Sequence, residues 1–421
     1  DVGNTHFSVA DNGALIKLNA SGNGADTLVY YPKNHAGETF TVPDNVTVLL
    51  PNCIAYNSNV TTVNLNKTIT TATGALTSLH NLTTLGISAS VTKLDGFTSD
   101  CPKISAYNID EGNTVYESKD GIVFTKDGKT LVLYPPARPD TVYTVPEGTT
   151  TIPENTFNNC PLHKLTIAST VTSLTGGSIA NMPNLTELDF APNSQITSLW
   201  WQMIMSLPKL KKIILPASVT EMDERAIRDC QSLEEIVVPD GSKLKTLNSG
   251  CLSGTPALKH FTFEGSSVLT TIGNEVFSGM TSLESFTIPA TVTSIGRSAF
   301  KGCTNLKKLT FAKGSQIKTL GNGCFAECGF DSIALPDQID SIGAEAFRSC
   351  TQLKTVHLSS TLRAINPTAF KWCTGITSYT VDESNPYFSS THGMLCDKAK
   401  TTLMLFPAGL ANDEATVIPP S

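Results

Sequence analysis

Apolar residues recur along most of this chain with a spacing of 23 residues, and residues 283–306 (LESFTIPATVTSIGRSAFKGCTNL) show the pattern most clearly. The members of the pattern are Leu283, Phe286, Ile288, Val292, Ile295, Ala299, Phe300 and Cys303, and Leu306 begins it again. Phe286 and Ile288 flank the polar Thr287, so this part of the repeat predicts a short strand with one buried face. The proline after it, Pro289, is expected to end strand pairing because it has no N–H donor.

A period of about 20–29 residues with an L-x-x-L-x-L core is typical of leucine-rich repeat solenoids. We therefore predict an α/β-type, right-handed leucine-rich repeat solenoid, mostly β, with turns of 23 residues. The G-x-x-A-F segments, such as residues 296–300, are expected to form short helical or 3₁₀ turns. One turn cannot bury its apolar face alone, so the repeats are expected to form an uninterrupted stack.

The sixth position of the repeat forms a column that can be followed through the chain. Its fourteen members are Leu65, Ile87, Ile109, Val145, Ile167, Phe190, Leu215, Val238, Phe263, Ile288, Phe311, Leu335, Leu358 and Val381, with Val42 and Ile418 as expected further members. Some turns have 25 residues because an insert rich in Gly, Ser and Asn comes after the strand. Examples are APNSQ after Phe190, PDGSK after Val238 and EGSSV after Phe263.

Three segments interrupt the repeat and resemble one another. In one of them, two runs of alternating apolar and polar residues on either side of residues 126–129 (KDGK) predict a β-hairpin. The predicted organisation is a hairpin or capping module (1–43), repeats (44–109), an inserted hairpin module (110–146), repeats (147–381) and a C-terminal hairpin module (382–421). The modules are expected to cap or brace exposed sheet edges. The alternative is that a hairpin binds a partner.

The eleven cysteines follow the repeat. Seven fall two or three residues before the next repeat begins: Cys101, Cys160, Cys230, Cys303, Cys328, Cys350 and Cys373. We expect a column of buried thiols, each with its S–H near a backbone carbonyl. Adjacent turns are close enough for a disulfide, but their parallel Cβ directions disfavour one. There is no C-x-x-C pair, which argues against zinc.

Composition and charge exclude several classes of protein. The net charge is −7 and only 16% of the 421 residues are charged, whereas a nucleic-acid-binding protein is typically basic. We therefore expect no nucleic-acid partner. No run of 18 apolar residues exists, so we predict no transmembrane segment. The chain begins at Asp1 without a signal peptide, and we interpret it as a mature or trimmed form.

No motif for catalysis, phosphate binding or metal binding is found, including H-E-x-x-H and G-x-S-x-G. His260 and His357 are predicted on outward strand positions, but four strands apart, or about 19 Å, they cannot share a metal. Paired carboxylates such as Glu187 and Asp189 are interpreted as a solvated face. We therefore predict a non-enzymatic protein with no catalytic residue, no metal site and no cofactor.

The A-F-x-x-C motifs and one hairpin resemble the BspA-like leucine-rich repeat proteins of the bacterial cell surface. The matching segments are Ala299-Phe300…Cys303, Ala346-Phe347…Cys350, Ala369-Phe370…Cys373 and the hairpin at residues 120–135. The resemblance implies a bacterial protein that is secreted or exposed at the cell surface. It also implies adhesion, since some members bind host matrix proteins or neighbouring cells. Residues 199–207 (LWWQMIMSL) depart from the pattern.

The outward strand positions form one continuous predicted face, and most are small and polar. Ile214 and Val237 are apolar where solvent is expected. The charged residues around them are Glu187, Asp189, Lys212, Glu235 and His260. An apolar centre with a charged rim is the composition of a protein-binding patch. The alternative is two ordinary exposed residues with good strand propensity.

Trp200 and Trp201 form the second candidate site. They either pack over a wider turn or provide an aromatic platform for a ligand such as a glycan. Three functions remain open: adhesin-like protein binding through the sheet face, a structural scaffold or spacer of a surface assembly, and carbohydrate binding through the tryptophans. The expected partners are host or neighbouring-cell proteins of the extracellular matrix type, with glycans as the alternative.

Overall fold

The structure is a computed structural model that describes residues 4–19 and 26–410. The chain divides into two compact units. The N-terminal unit comprises Asp1–His163 and Ser178–Asn184, and the C-terminal unit comprises Lys164–Gly177 and Leu185–Ser421.

The described residues form 41 strands, most of them two to four residues long. The first sixteen are β1 (Phe7–Val9), β2 (Leu15–Lys17), β3 (Asp26–Tyr30), β4 (Thr39–Thr41), β5 (Val46–Leu49), β6 (Ile54–Ala55), β7 (Thr62–Asn64), β8 (Leu76–Thr77), β9 (Thr84–Ile87), β10 (Thr98–Ser99), β11 (Ala106–Ile109), β12 (Tyr116–Lys119), β13 (Ile122–Thr125), β14 (Leu131–Leu133), β15 (Val142–Thr144) and β16 (Thr151–Ile152). The remainder are β17 (Lys164–Ile167), β18 (Ser173–Leu174), β19 (Ile179–Ala180), β20 (Glu187–Phe190), β21 (Ser198–Leu199), β22 (Ile204–Met205), β23 (Lys212–Ile214), β24 (Glu221–Met222), β25 (Ile227–Arg228), β26 (Glu235–Val238), β27 (Thr246–Leu247), β28 (His260–Phe263), β29 (Thr271–Ile272), β30 (Ser285–Ile288), β31 (Ser294–Ile295), β32 (Lys308–Phe311), β33 (Thr319–Leu320), β34 (Ser332–Ile333), β35 (Ser341–Ile342), β36 (Thr355–Leu358), β37 (Ala364–Ile365), β38 (Ser378–Val381), β39 (Phe388–Thr391), β40 (Met394–Asp397) and β41 (Leu403–Leu405).

In the C-terminal unit, successive turns stack as parallel strands on separate sides of the coil. The first side contains β17-β20-β23-β26-β28, then β30-β32, then β34-β36-β38. The second side is the eight-stranded parallel sheet β21-β24-β27-β29-β31-β33-β35-β37. On the third side, β22 pairs with β25. The predicted inward and outward alternation is confirmed in β30, where Phe286 and Ile288 are buried and Ser285 and Thr287 are exposed.

The predicted column at the sixth position lies inside, since each of its fourteen members is buried or half-buried. Val42 is fully buried as well, and Ile418 lies outside the described residues. The core of the C-terminal unit is completed by a ladder of stacked phenylalanines from the A-F positions. These are Phe277, Phe300, Phe325, Phe347 and Phe370, with successive ring centroids 4.8, 5.4, 5.6 and 5.0 Å apart.

The prediction of helical or 3₁₀ turns is wrong: the described part of the chain contains no helix. The A-F segments are turns instead, because the residue before the Ala position has a left-handed conformation (Ser298, φ 54°; Glu345, φ 55°). A helical turn requires successive residues with negative φ. The N–H groups that a helix would use within its own segment therefore donate to the following turn, as Phe300 N does to Cys324 O at 2.8 Å.

The predicted cysteine column is present. All eleven cysteines are buried, and several thiols donate to a carbonyl of the preceding turn. Examples are Cys303 to Phe277 O (3.1 Å), Cys350 to Phe325 O (3.1 Å) and Cys373 to Phe347 O (2.9 Å). Burial raises the pKa of Cys53 to about 12 and that of Cys101 to about 11. These two thiols therefore stay protonated near neutral pH.

The N-terminal unit has parallel stacks of its own, β4-β7-β9-β11 on one side and β6-β8-β10 on another. Antiparallel sheets lie beside the repeats. β1-β2-β3 forms one, and β12-β13-β14 forms a second. The C-terminal unit contains a third, β39-β40-β41. The boundaries of the hairpin modules remain a prediction, and the tip residues Gly22 and Gly24 and the return segment 411–421 lie outside the described residues.

One buried asparagine anchors the start of β12 to the preceding turn. The Asn113 side chain donates from Nδ2 to Ser88 O (2.9 Å) and Val91 O (3.0 Å). Its Oδ1 accepts from the N–H groups of Val115 and Tyr116, both at 2.8 Å. In the C-terminal unit Asn385 makes the same four bonds before β39. Each asparagine thus links the preceding turn to the strand that follows it.

The turn between β13 and β14 is predicted to depend on pH. Hydrogen bonds from Lys129 N (3.0 Å) and the Thr125 hydroxyl (2.7 Å) lower the pKa of Asp127. The pKa of Asp127 is lower in the folded state than in the unfolded state, where it is about 3.9. The two hydrogen bonds therefore contribute fully to the free energy of unfolding above that unfolded-state pKa, and the contribution is lost as the pH falls through the folded-state pKa. We expect Asp127→Asn to lower the Tm at pH 6 and to have a smaller effect at pH 2. An equal Tm difference at both pH values would contradict the assignment.

Candidate binding surface

The candidate sheet face lies on five parallel strands of the C-terminal unit. The outward residues lie in rows across the sheet formed by β17, β20, β23, β26 and β28. One row contains Lys164, Glu187, Lys212, Glu235 and His260, and the other contains Thr166, Asp189, Ile214, Val237 and Thr262. The seven residues predicted from sequence are thereby brought onto adjacent strands.

The predicted apolar centre is only half correct. Ile214 is 49% exposed, whereas Val237 is 2% exposed and does not present an apolar surface. Val237 lies in register between Ile214 and Thr262 on the neighbouring strands. Of the two apolar outward residues, Ile214 alone is therefore accessible.

Most of the charged rim is paired within the protein. Lys164 Nζ contacts Glu187 Oε2 at 2.8 Å and Asp189 Oδ2 at 2.7 Å, and Lys212 Nζ contacts Glu235 Oε2 at 3.0 Å. Hydrogen bonds to Asp189 and Glu187 raise the pKa of Lys164. Lys164 was not among the predicted site residues, although its charge on the adjacent outward position was visible in the sequence. These ion pairs lie at the surface, where such contacts contribute little to stability.

An open groove of about 860 Å³ continues from Ile214 along the ends of the strands. Its floor includes Ile214, Pro216 and Ala217, and its walls include Asn193 and Lys243. The groove exists because the short connection after β23 lies between longer ones after β20 and β26. These longer connections are the APNSQ and PDGSK inserts. The unequal repeat lengths were the sequence signal for this groove.

A second groove of about 590 Å³ has the same origin. Its floor includes Thr287, Pro289 and Ala290, where the connection after β30 is short. Residues 265–267, within the EGSSV insert, form one wall. His260 lines this second groove, whereas Asp189 and Ile214 line the first. The predicted site is therefore divided between two depressions.

The tryptophan pair lies on another side of the coil, directly after β21. Trp200 is 53% exposed and Trp201 is 51% exposed. Trp201 packs close to Gly176, where an added Cβ would lie 2.7 Å from the Trp201 carbonyl oxygen. Gln202 takes the left-handed position (φ 53°), so Met203 and Ile204 occupy the Ala and Phe positions. The 199–207 segment therefore keeps the turn geometry while exposing two indole rings.

Within residues 4–19 and 26–410, no three His, Cys, Asp or Glu side chains are grouped so that they could hold a metal ion. The same part of the chain has no helix with the length and apolar character needed to cross a membrane.

The stacked parallel turns and the buried columns define a leucine-rich repeat solenoid. A sequence model described as "BspA type Leucine rich repeat region", with six copies, matches residues 29–119, 150–279 and 270–397. The chain belongs to this family, and the predicted resemblance is confirmed.

The solved structures to which the chain is similar include bacterial leucine-rich repeat proteins. A leucine-rich repeat protein from Bacteroides ovatus is 17% identical with a TM-score of 0.57, over 90% of this chain and 95% of that one. A leucine rich cell surface protein from Faecalibacterium prausnitzii is 19% identical, with a TM-score of 0.34, over 91% and 97% of the two chains. The pneumococcal vaccine antigen PcpA is 14% identical, with a TM-score of 0.35, over 90% and 82%. No curated protein matches the chain.

Proposed function

We propose that this protein is a non-enzymatic, secreted or surface-exposed bacterial protein that binds another protein through the groove at Ile214. Membership of the BspA-type family supports the surface location and a role in protein interaction. The expected partners are host or neighbouring-cell proteins of the extracellular matrix type. The net charge of −7 favours a protein partner over a nucleic acid.

The observation that carries the proposal is the exposure of Ile214 at the floor of a groove with a polar rim. Protein interfaces commonly combine an apolar centre with polar surroundings. The Lys164 and Lys212 ion pairs supply charged groups beside it.

Exchange of Ile214 for a charged residue tests the site. In a binding assay against a panel of purified matrix proteins, we expect Ile214→Asp to weaken binding about 30-fold or more. A hot-spot residue contributes about 2 kcal/mol, and an aspartate would also place a charge in the interface. Val268→Asp is the control, because Val268 is similarly exposed (41%) but lies in a connecting loop. Equal affinity of Ile214→Asp and the native protein would place the site elsewhere, and absence of all binding would favour a scaffold.

Glycan binding through Trp200 and Trp201 is the second candidate. The exposure of about half of both indole rings favours it, since exposed aromatic rings offer apolar faces to ligands. Titration with a glycan panel would then change tryptophan fluorescence. Trp200→Ala and Trp201→Ala would remove that change, and Ile214→Asp would leave it intact. A fluorescence change that persists in both tryptophan variants would exclude this site.

A further inference from the structure

The N-terminal unit contains a cleft of about 430 Å³ at a place where the bonding between turns is interrupted. Residues 94–102 form one wall, and residues 132–136 and 153–159 form the other. None of these residues belongs to the Ile214 groove, so a ligand of this cleft is independent of the function proposed for that groove.

Backbone N–H groups of each turn normally donate to carbonyls of the next turn. In the turn that contains β6, the backbone N–H of every second residue donates to a backbone carbonyl of the next turn. The pairs are Asn52 to Gly74 (2.7 Å), Ile54 to Ala75 (3.0 Å) and Tyr56 to Thr77 (3.1 Å). The turn that contains β8 continues the series through Gly74 to Gly96 (2.8 Å) and Ser78 to Ser99 (2.9 Å).

This series ends at β10, the edge strand of its sheet. By the same register, the N–H groups of Gly96, Thr98 and Asp100 face the cleft. None of the three has an acceptor in the part of the chain that the structure describes. Such a row of unpaired groups is a template for pairing with another strand.

The opposite wall is occupied by the segment that comes after β14. Tyr134 N donates to Thr156 O at 3.1 Å, so this segment is hydrogen-bonded to the turn that follows it in the chain. The donor edge of β10 is thereby left without a partner among the described residues. Tyr134 and Asn158 are among the residues that line the cleft. The Tyr134 hydroxyl and Asn158 Oδ1 are buried with no hydrogen-bond partner in the same described ranges. Tyr134 itself is only 2% exposed.

The residues at the corresponding positions elsewhere in the chain differ from Tyr134 in this hydroxyl. Tyr31 N bonds to Cys53 O in the same way (2.7 Å), but the Tyr31 hydroxyl is satisfied by His35 Nδ1 at 2.8 Å. After β41 the corresponding residue is Phe406, which has no hydroxyl. Of the three, Tyr134 alone has a buried hydroxyl without a hydrogen-bond partner among the described residues.

We propose that this cleft binds an extended, basic peptide segment that adds to β10 as a further strand. Thr98 is the donor within the extended segment Thr98–Ser99, and Gly96 and Asp100 flank it with left-handed φ values of 60° and 52°. Peptides that add to a sheet edge are recognised in this way. Among the described residues that line the cleft, the charged ones are Asp95, Asp100 and Glu154, and all are acidic. The Asp100 carboxylate already contacts His80 and Ser78, both at 2.9 Å, so Asp95 and Glu154 remain to attract a basic peptide.

The experiment uses the full chain and two probes, the acetylated and amidated pentapeptides Lys-Thr-Val-Thr-Lys and Glu-Thr-Val-Thr-Glu. Hydrogen exchange is measured at single amides with and without each peptide. We expect the amides of Gly96, Thr98 and Asp100 to exchange rapidly in the free protein. The lysine peptide should slow their exchange about 10-fold or more, and the glutamate peptide should have a much weaker effect.

Two variants separate binding from folding. Thr98→Pro removes the central donor without touching the bonds to β8 and should abolish protection. Tyr134→Phe should preserve the Tm, since the hydroxyl has no hydrogen-bond partner to lose among the described residues, and weaken binding about 5-fold. Ser99→Ala is the control, because it leaves the three donors in place and should bind normally. If neither peptide slows exchange, or if Tyr134→Phe and Thr98→Pro bind as well as Ser99→Ala, the cleft holds only water and the proposal is wrong.

Discussion

Replacement of Phe300 by alanine should lower the free energy of unfolding of the C-terminal unit by about 3–5 kcal/mol. The Phe300 side chain is fully buried. It stacks between Phe277 at 4.8 Å and Phe325 at 5.4 Å, and it meets the edge of Phe286 at 5.1 Å. The variant therefore leaves a cavity that affects the turns on both sides, because each repeat is stabilised by its neighbours.

Denaturant unfolding followed by fluorescence and hydrogen exchange checks this prediction. Phe406→Ala is the control, since Phe406 is 45% exposed and its removal should cost far less. Loss of protection should be greatest in residues 277–325. Equal effects of the two variants would show that the phenylalanine ladder does not stabilise the stack.

Replacement of Asn113 by alanine is expected to destabilise the N-terminal unit by about 2–4 kcal/mol. The variant removes the partners of four backbone groups, the carbonyls of Ser88 and Val91 and the N–H groups of Val115 and Tyr116. A buried polar group that loses its partner costs about 1–3 kcal/mol. Asn113 is only 1% exposed, so water does not readily replace the amide.

Hydrogen exchange of residues 113–125 should show early opening of β12 and β13 in the Asn113→Ala variant. Asn108→Ala is the matched control, because Asn108 is exposed on the sheet face. Its stability should stay within about 0.5 kcal/mol of the native value. If Asn113→Ala were equally mild, β12 would be held by its strand pairing and not by this side chain.

The repeat pattern predicted the architecture because it reports directly on burial. Phe286 and Ile288 could be placed inside and Ser285 outside from their alternation alone. Cys303 and Cys350 could be placed in a buried column from their recurrence. These assignments need only the period of the repeat, and the structure agrees with each of them.

Other features depended on contacts between turns. The left-handed residues at Ser298 and Glu345 replaced the expected helical turns, because N–H groups there bond to the next turn rather than within their own segment. Val237 was expected to be exposed, but it is only 2% exposed, whereas its in-register neighbour Ile214 is 49% exposed. A single strand does not contain that information.

Sequence alone determined the period, the strands, the inward columns and the family of this protein, because each is a consequence of local alternation repeated at a fixed interval. Tertiary structure decided which outward residues are accessible, where inserts of unequal length form grooves, and where the ladder of N–H groups ends at β10 without a partner among the described residues. The physical reason is that accessibility and hydrogen-bond satisfaction belong to neighbouring turns, which lie more than twenty residues away in the chain.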